Sequence, residues 1–124
     1  MAHQHSAGFL EIVNDSKARV KEVTVAETLE RIAKNPKAVL IDVREDNEWQ
    51  AGHAAQAKHL GKGIIERDIE AAVPDHAAEL ILYCGGGFRS ALAGDALQKM
   101  GYTNVWSMAG GWRAWNEGGA PTAK

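Results

Sequence analysis

The stretch Leu80-Ile81-Leu82-Tyr83-Cys84-Gly85-Gly86-Gly87-Phe88-Arg89-Ser90 decides the fold. Its apolar start, Leu80 to Tyr83, reads as a short buried strand. The glycines Gly85, Gly86 and Gly87 break that strand. From Arg89 the spacing turns helical, with Leu92, Ala93, Ala96, Leu97 and Met100 on one face before Gly101. Strand, tight turn and helix in that order make a βα unit, the repeating piece of a parallel sheet.

The alternation continues on both sides. Upstream, Ala38 to Val43 is apolar except for Asp42 and predicts a second buried strand. Val23 belongs to a short strand before it. Thr24, with Glu27 three residues on, predicts a capping box opening a helix through Val25, Leu29 and Ile32. Asn35 and Pro36 end that helix. Glu45 to Ala51 reads as a short helix ended by Gly52, Ala57 to Leu60 as a short strand, and Ile64 to Val73 as a helix ahead of Pro74. Downstream, Asn104 to Met108 predicts a last strand, then Gly110 and Gly111 and a short helix through Trp112 and Trp115. At the N-terminus, Phe9, Leu10, Ile12 and Val13 predict one face of a short helix, with Met1 to Ala7 flexible before it. The glycine-rich end, Gly118 to Lys124, is expected to fray. The whole predicts one α/β domain over 22–121 with a mainly parallel sheet covered on both faces. A partly helical extension, 1–21, precedes it, and a tail, 122–124, follows.

Composition narrows the function. The 124 residues suit one domain, and 45% apolar residues suit a packed core. The net charge of −2, with no basic block, argues against a nucleic-acid partner. No apolar stretch is long enough for a membrane helix, and no secretory signal is visible. Cys84 is the only cysteine, so no internal disulfide forms and a cytoplasmic setting is expected. One cysteine without paired histidine spacing argues against a metal site, and no cofactor is called for.

Ligands of parallel α/β sheets bind at the carboxyl ends of strands, where Cys84 stands. A free thiol ionises near pH of about 8.5, so a nucleophilic cysteine needs help to become the thiolate. Arg89 supplies a cation and the helix beginning near Ser90 supplies the positive end of a dipole. Consecutive glycines let backbone N–H groups turn inward into an anion-binding nest. That setting reads as a reactive thiol rather than an inert buried cysteine.

Three ordered blocks carry a resemblance. The first is Ile41-Asp42-Val43-Arg44-Glu45, followed by Glu48-Trp49 and Ala51-Gly52-His53. The second is Cys84 through Ser90. The third is Gly101-Tyr102, then Val105, then Gly110-Gly111-Trp112-Arg113-Ala114-Trp115. Together they resemble the rhodanese homology domain over Glu22 to Pro121. The resemblance implies a three-layer α/β/α fold around a five-stranded parallel sheet of order 1-5-4-2-3, with the Cys84 strand central and beside the Asp42 strand. It implies a sulfurtransferase. Cys84 would take sulfane sulfur from a small anionic donor such as thiosulfate. It would hold that sulfur as a persulfide and pass it to a thiol or cyanide acceptor, or to an acceptor protein. Backbone amides of Gly85, Gly86, Gly87, Phe88 and Arg89 would stabilise the anionic sulfur, and the Arg89 side chain would pair with the donor. One departure stands out: Ala54, Ala55 and Gln56 follow His53 where the family usually carries an apolar residue, proline and glycine.

Other residues receive supporting readings. Asp42 is expected to orient backbone amides as a hydrogen-bond acceptor, because a carboxylate beside a thiolate would oppose catalysis. Arg44 and Glu48, four apart, are expected to pair. Ser90 supports the loop. His53 is expected to close a turn, and His59 and His76 to stand alone. Trp106, Trp112 and Trp115 read as packing residues, and Phe88 as a ring exposed at the pocket mouth. Lys58, Lys62 and Arg67 read as solvated surface charges. Two rival functions remain: a phosphatase of the same fold, and a non-catalytic sulfur-carrying, sensing or binding module. Such phosphatases place five residues between cysteine and arginine, whereas Gly85 to Phe88 is four, and the shorter ring favours sulfur over phosphate.

Overall fold

The computed structural model describes residues 5–124. Along the chain run α1 (Ala7–Lys17), β1 (Lys21–Val23), α2 (Val25–Lys34), β2 (Val39–Asp42), α3 (Asp46–Ala51), β3 (His53–Ala54), β4 (Lys58–His59), α4 (Ile65–Ala72), β5 (Leu80–Tyr83), α5 (Phe88–Lys99), β6 (Val105–Met108), α6 (Gly111–Glu117) and β7 (Thr122–Ala123). The main sheet is parallel throughout, in the order β1-β6-β5-β2-β4. Counting only these five strands along the chain gives 1-5-4-2-3, the order the resemblance implied.

Alternation along β5 divides the core. Leu80 and Leu82, and beyond them Cys84, join Ile65 and Ile69 of α4 with Ala93 and Leu97 of α5 on one face. Ile81 and Tyr83 join Trp115 of α6 on the other, with Leu29 and Ile32 of α2 packed against them. Each fully buried Leu or Ile here contributes about 1.5–3 kcal/mol. The central strands are therefore apolar on both faces, and their ends are the places left for chemistry.

Local signals account for the helix starts. In the capping box of α2, Glu27 N–H donates to Thr24 Oγ1 at 3.1 Å and Thr24 N–H to the Glu27 carboxylate at 2.8 Å. Helix α1 begins earlier than expected. Ser6 caps it by accepting from Phe9 N–H, and Ala7 is its first residue. The expected flexibility of Met1 to Ala7 thus fails for Ser6 and Ala7, while residues 1–4 lie outside the described residues. Val13 of α1 is buried, but Ile12 is 54% exposed and does not share its face.

The C-terminal end corrects another expectation. Instead of fraying, Thr122 and Ala123 form β7, antiparallel to β3. The Pro121 carbonyl accepts from the Trp115 indole at 2.8 Å and from Ala55 N–H at 3.0 Å. Extended backbone after Pro121 meets the edge of β3, where unpaired backbone groups await a partner. The Ala54-Ala55-Gln56 departure lies at this edge. Ala54 N–H also donates to the hydroxyl of fully buried Tyr83 at 3.0 Å. Burial raises the Tyr83 hydroxyl above its usual range. Replacing Tyr83 by Phe leaves the Ala54 N–H buried without its acceptor. Tyr83→Phe is expected to lower unfolding free energy by about 1–3 kcal/mol in denaturant titration, and an unchanged midpoint would refute the role of this bond.

Candidate active site

The site begins where β5 ends. Cys84 is buried, and its Sγ accepts from Gly87 N–H at 3.1 Å and from Ser90 N–H at 3.4 Å. Both donors belong to the start of α5, which begins at Phe88, two residues before the expected Ser90. The positive end of the helix therefore faces the sulfur. Gly87 adopts φ of 102°, a left-handed conformation that glycine reaches without strain. Ser90 Oγ lies 3.6 Å from Sγ and 2.7 Å from Ser107 Oγ on β6. The two hydroxyls form a buried polar pair behind the sulfur.

The rest of the loop is open to ligand. Among the described residues, no acceptor bonds the N–H groups of Gly85, Gly86, Phe88 or Arg89. All four residues line, with Cys84, a cavity of about 780 Å³. The floor of the loop is held from the other side. Trp112 N–H donates to the Cys84 carbonyl at 2.7 Å and Arg113 N–H to the Gly85 carbonyl at 3.2 Å. Gly111, at φ of 52°, makes that approach feasible, because a Cβ there would collide with the Cys84 carbonyl oxygen and the Gly85 carbonyl.

Charge at the mouth is arranged differently from expectation. Arg89 pairs with Glu48 through two hydrogen bonds, at 2.7 and 3.1 Å. The carboxylate holds the Arg89 guanidinium above its usual range, and Arg89 holds the Glu48 carboxyl below its own. Glu48 therefore does not pair with Arg44, as its spacing had suggested. Arg44 precedes the helix that carries Glu48, so the two do not share a helical face. Arg44 instead makes buried hydrogen bonds to Asp42, at 2.8 to 3.1 Å, and to the Gly52 carbonyl at 2.7 Å. Asp42 accepts one backbone N–H, that of Arg44, at 2.9 Å. Asp42 thus holds one backbone amide, as expected of it, and pairs besides with the Arg44 side chain.

The remaining side chains sort by position. Phe88 lines the cavity but is covered by α1: its ring meets His5 at 4.7 Å and Phe9 at 6.3 Å, with Lys17 Nζ above it at 4.8 Å. His53 closes its turn through the Ala54 carbonyl at 2.9 Å and stacks on Trp49 at 3.4 Å. His59 does not stand alone; it bonds the Arg44 carbonyl at 2.9 Å and also stacks on Trp49, at 4.9 Å. His76 bonds Glu70 and packs on Tyr102. Trp115 is in the core, Trp106 lies under Arg31, and Trp112 lines the cavity. Lys58, Lys62 and Arg67 do not line it. The sequence did not place Glu48, Ser107, Phe9 or Arg113 at the site. Ser107 did leave a trace, as a lone hydroxyl within an otherwise apolar strand.

A model of the rhodanese-like domain matches residues 24–118, and the chain belongs to that family. It is 33% identical over 95 residues to the thiosulfate sulfurtransferase GlpE of Pseudoalteromonas translucida, covering 77% of this chain and 88% of that protein. Its structure resembles the polysulfide-sulfur transferase of Wolinella succinogenes at a TM-score of 0.81, with 28% identity and coverage of 94% of this chain and 88% of the other. It also resembles a Rhodopseudomonas palustris protein of unknown function at a TM-score of 0.84, covering 99% of both chains. At 24% identity that likeness speaks to the fold alone.

Two outcomes follow from this geometry. Gly111→Ala should lose at least about 2 kcal/mol of stability, since the new Cβ forces α6 off the loop; a melting temperature equal to wild type would contradict the close approach. Glu48, depressed by Arg89, stabilises the fold above its unfolded value of 4.5, and that contribution is lost as pH falls through the lower folded value. The stability gap between wild type and Glu48→Gln should therefore be present at neutral pH and close in acid. A gap independent of pH would show that the charge of Glu48 contributes nothing.

Proposed function

We propose that this protein is a sulfurtransferase that carries sulfane sulfur on Cys84. One observation carries the reading most directly. Two N–H groups already point at Sγ, and four more loop N–H groups beside the cavity have no acceptor within the described chain. Such an array suits an anionic atom attached to Cys84, because backbone dipoles fixed in advance need no reorganisation when charge arrives.

In the donor step, the Cys84 thiolate attacks the outer sulfur of thiosulfate. A sulfur–sulfur bond forms to Sγ, the bond to the central sulfur breaks, and sulfite leaves with the electron pair. The terminal persulfide sulfur keeps its negative charge, which the amides of Gly85, Gly86, Gly87, Phe88 and Arg89 would receive. In the acceptor step, cyanide attacks that sulfur, thiocyanate forms, and the electron pair returns to Cys84. Two half-reactions through one covalent intermediate imply ping-pong kinetics.

Arg89 would assist the donor. Glu48 engages only two of its N–H groups, so the guanidinium retains donors for an anion. Asp42, Arg44 and Ser90 act as supports under this reading, Ser90 through its N–H to sulfur and Arg44 by tying β2 to the turn at Gly52.

The deciding experiment is intact-protein mass spectrometry after incubation with thiosulfate and again after cyanide. A gain of one sulfur atom, about 32 Da, that cyanide removes is expected, and reduced protein that never gains mass would refute the cycle. Cys84→Ser should fold and neither gain sulfur nor turn over. Arg89→Ala is expected to raise the thiosulfate KM by about tenfold or more, the loss of a charge-assisted contact; an unchanged KM would leave Arg89 as a purely structural partner of Glu48.

A further inference from the structure

One wall of the Cys84 cavity comes from outside the matched family segment. Helix α1 lies before residue 24, yet Phe9 and His5 line the cavity with Phe88, Trp112, Arg89 and Arg113. The wall is fixed rather than loosely laid on. Ser16 and Arg19 both bond Asp95 on α5, at 2.7 to 3.1 Å, and Val13 is buried beneath the helix. Lys17 covers Phe88 from the same side. Phe9 is therefore held beside the loop by contacts that do not involve the cavity itself.

The cavity is larger than the smallest sulfur chemistry requires. At about 780 Å³ it falls in the range of sites that enclose whole organic molecules, whereas cyanide would occupy a small part of it. Its lining carries three large aromatic rings, Phe9, Phe88 and Trp112, with the Phe9 and Phe88 centroids 6.3 Å apart. Its charges do not cancel. Glu48 neutralises Arg89, while Arg113 has no acidic partner within ion-pair distance among the described residues. A ligand matching these walls has an apolar body and one negative charge.

We propose that Phe9 selects the sulfur acceptor, favouring a small organic thiol with an aromatic or aliphatic body and one anionic group. This rests on the persulfide reading above. The acceptor thiolate attacks the outer sulfur of the Cys84 persulfide. A new sulfur–sulfur bond forms, the bond to Sγ breaks, and its electron pair returns to Cys84 as thiolate. The transferred sulfur keeps its negative charge, and the acceptor leaves as its own persulfide anion. Phe9 contacts the acceptor's body, and Arg113 receives its anionic group.

The test uses thiosulfate as donor, with 4-mercaptophenylacetate and cyanide as alternative acceptors. Phe9→Ala should lower the ratio of kcat/KM for the thiol to that for cyanide by about tenfold, as the loss of an apolar contact predicts. Phe9→Leu, which keeps an apolar side chain on the helix, should lower it less and guards against a folding defect in the alanine variant. Ile12→Ala, on the outward side of the same helix, should leave the ratio as in wild type. Wild type should also prefer the acid over 4-mercaptophenylacetamide. A ratio unchanged in folded Phe9 variants, with cyanide still turned over, overturns this inference alone. Equal use of acid and amide overturns the anionic requirement. A wild type that never acquires sulfur overturns the persulfide reading and this inference with it.

Discussion

The hydrogen bonds from Trp112 and Arg113 to the carbonyls of Cys84 and Gly85 set the direction of the whole loop. A trans peptide is planar, with its N–H and C=O pointing oppositely. The Cys84 carbonyl shares a peptide with Gly85 N–H, and the Gly85 carbonyl shares one with Gly86 N–H. Drawing both carbonyls toward α6 therefore turns both N–H groups away from it. These two N–H groups are among those without an acceptor among the described residues. The ring of donors is thus imposed by a neighbouring helix as much as by the glycines themselves. Gly111 belongs to the site for this reason, although it touches no ligand: only a residue without Cβ lets α6 come close enough.

A second constraint places Glu48. Arg44 is almost wholly buried and spans three elements, bonding Asp42 at the end of β2 and Gly52 after α3, and lying over the Trp112 ring of α6 at 4.9 Å. Burial, the largest single influence, lowers the guanidinium's pKa, but the hydrogen bonds to Asp42 and the attraction of its charge together hold it above its ordinary value. Breaking a buried pair by removing one partner typically costs about 3–5 kcal/mol, because the other charge is stranded. The pair thereby fixes where α3 sits, and α3 delivers Glu48 to Arg89. A side chain far from sulfur in chemistry thus governs the charge at the cavity mouth.

What was legible in the sequence was what local pattern encodes. The apolar run ending at Cys84, the glycine break and the helical spacing after it gave the βα unit. Thr24 and Glu27 announced their capping box because both its members lie within one turn. The pairing of Arg44 with Glu48 failed because the rule for residues four apart presumes a helix, and Glu45 is the cap where that helix only begins. The β3–β7 pairing joins segments nearly seventy residues apart and had no local trace. Ser107 and Phe9 reach the site from β6 and α1 for the same reason: a strand neighbour and a helix packed across α5 are set by topology, which periodicity does not report. His59 looked isolated because its partners, Trp49 and the Arg44 carbonyl, come from before β3.

The balance between side-chain and backbone charge also bears on what the cavity can hold. With Glu48 compensating Arg89, little of the guanidinium's net charge remains for a ligand, so the anion must be met chiefly by N–H dipoles. Such dipoles are short-ranged and suit a compact charge seated within the ring, such as one sulfur atom on Cys84. A tetrahedral dianion spreads its charge over several oxygens and projects farther from the loop, where the N–H donors that Arg89 keeps beside Glu48 would meet the anionic donor. Four residues between Cys84 and Arg89 make a ring small enough for a single sulfur atom. Loop size therefore weighs toward sulfur held on Cys84, with Arg89 left to serve the anion that brings it.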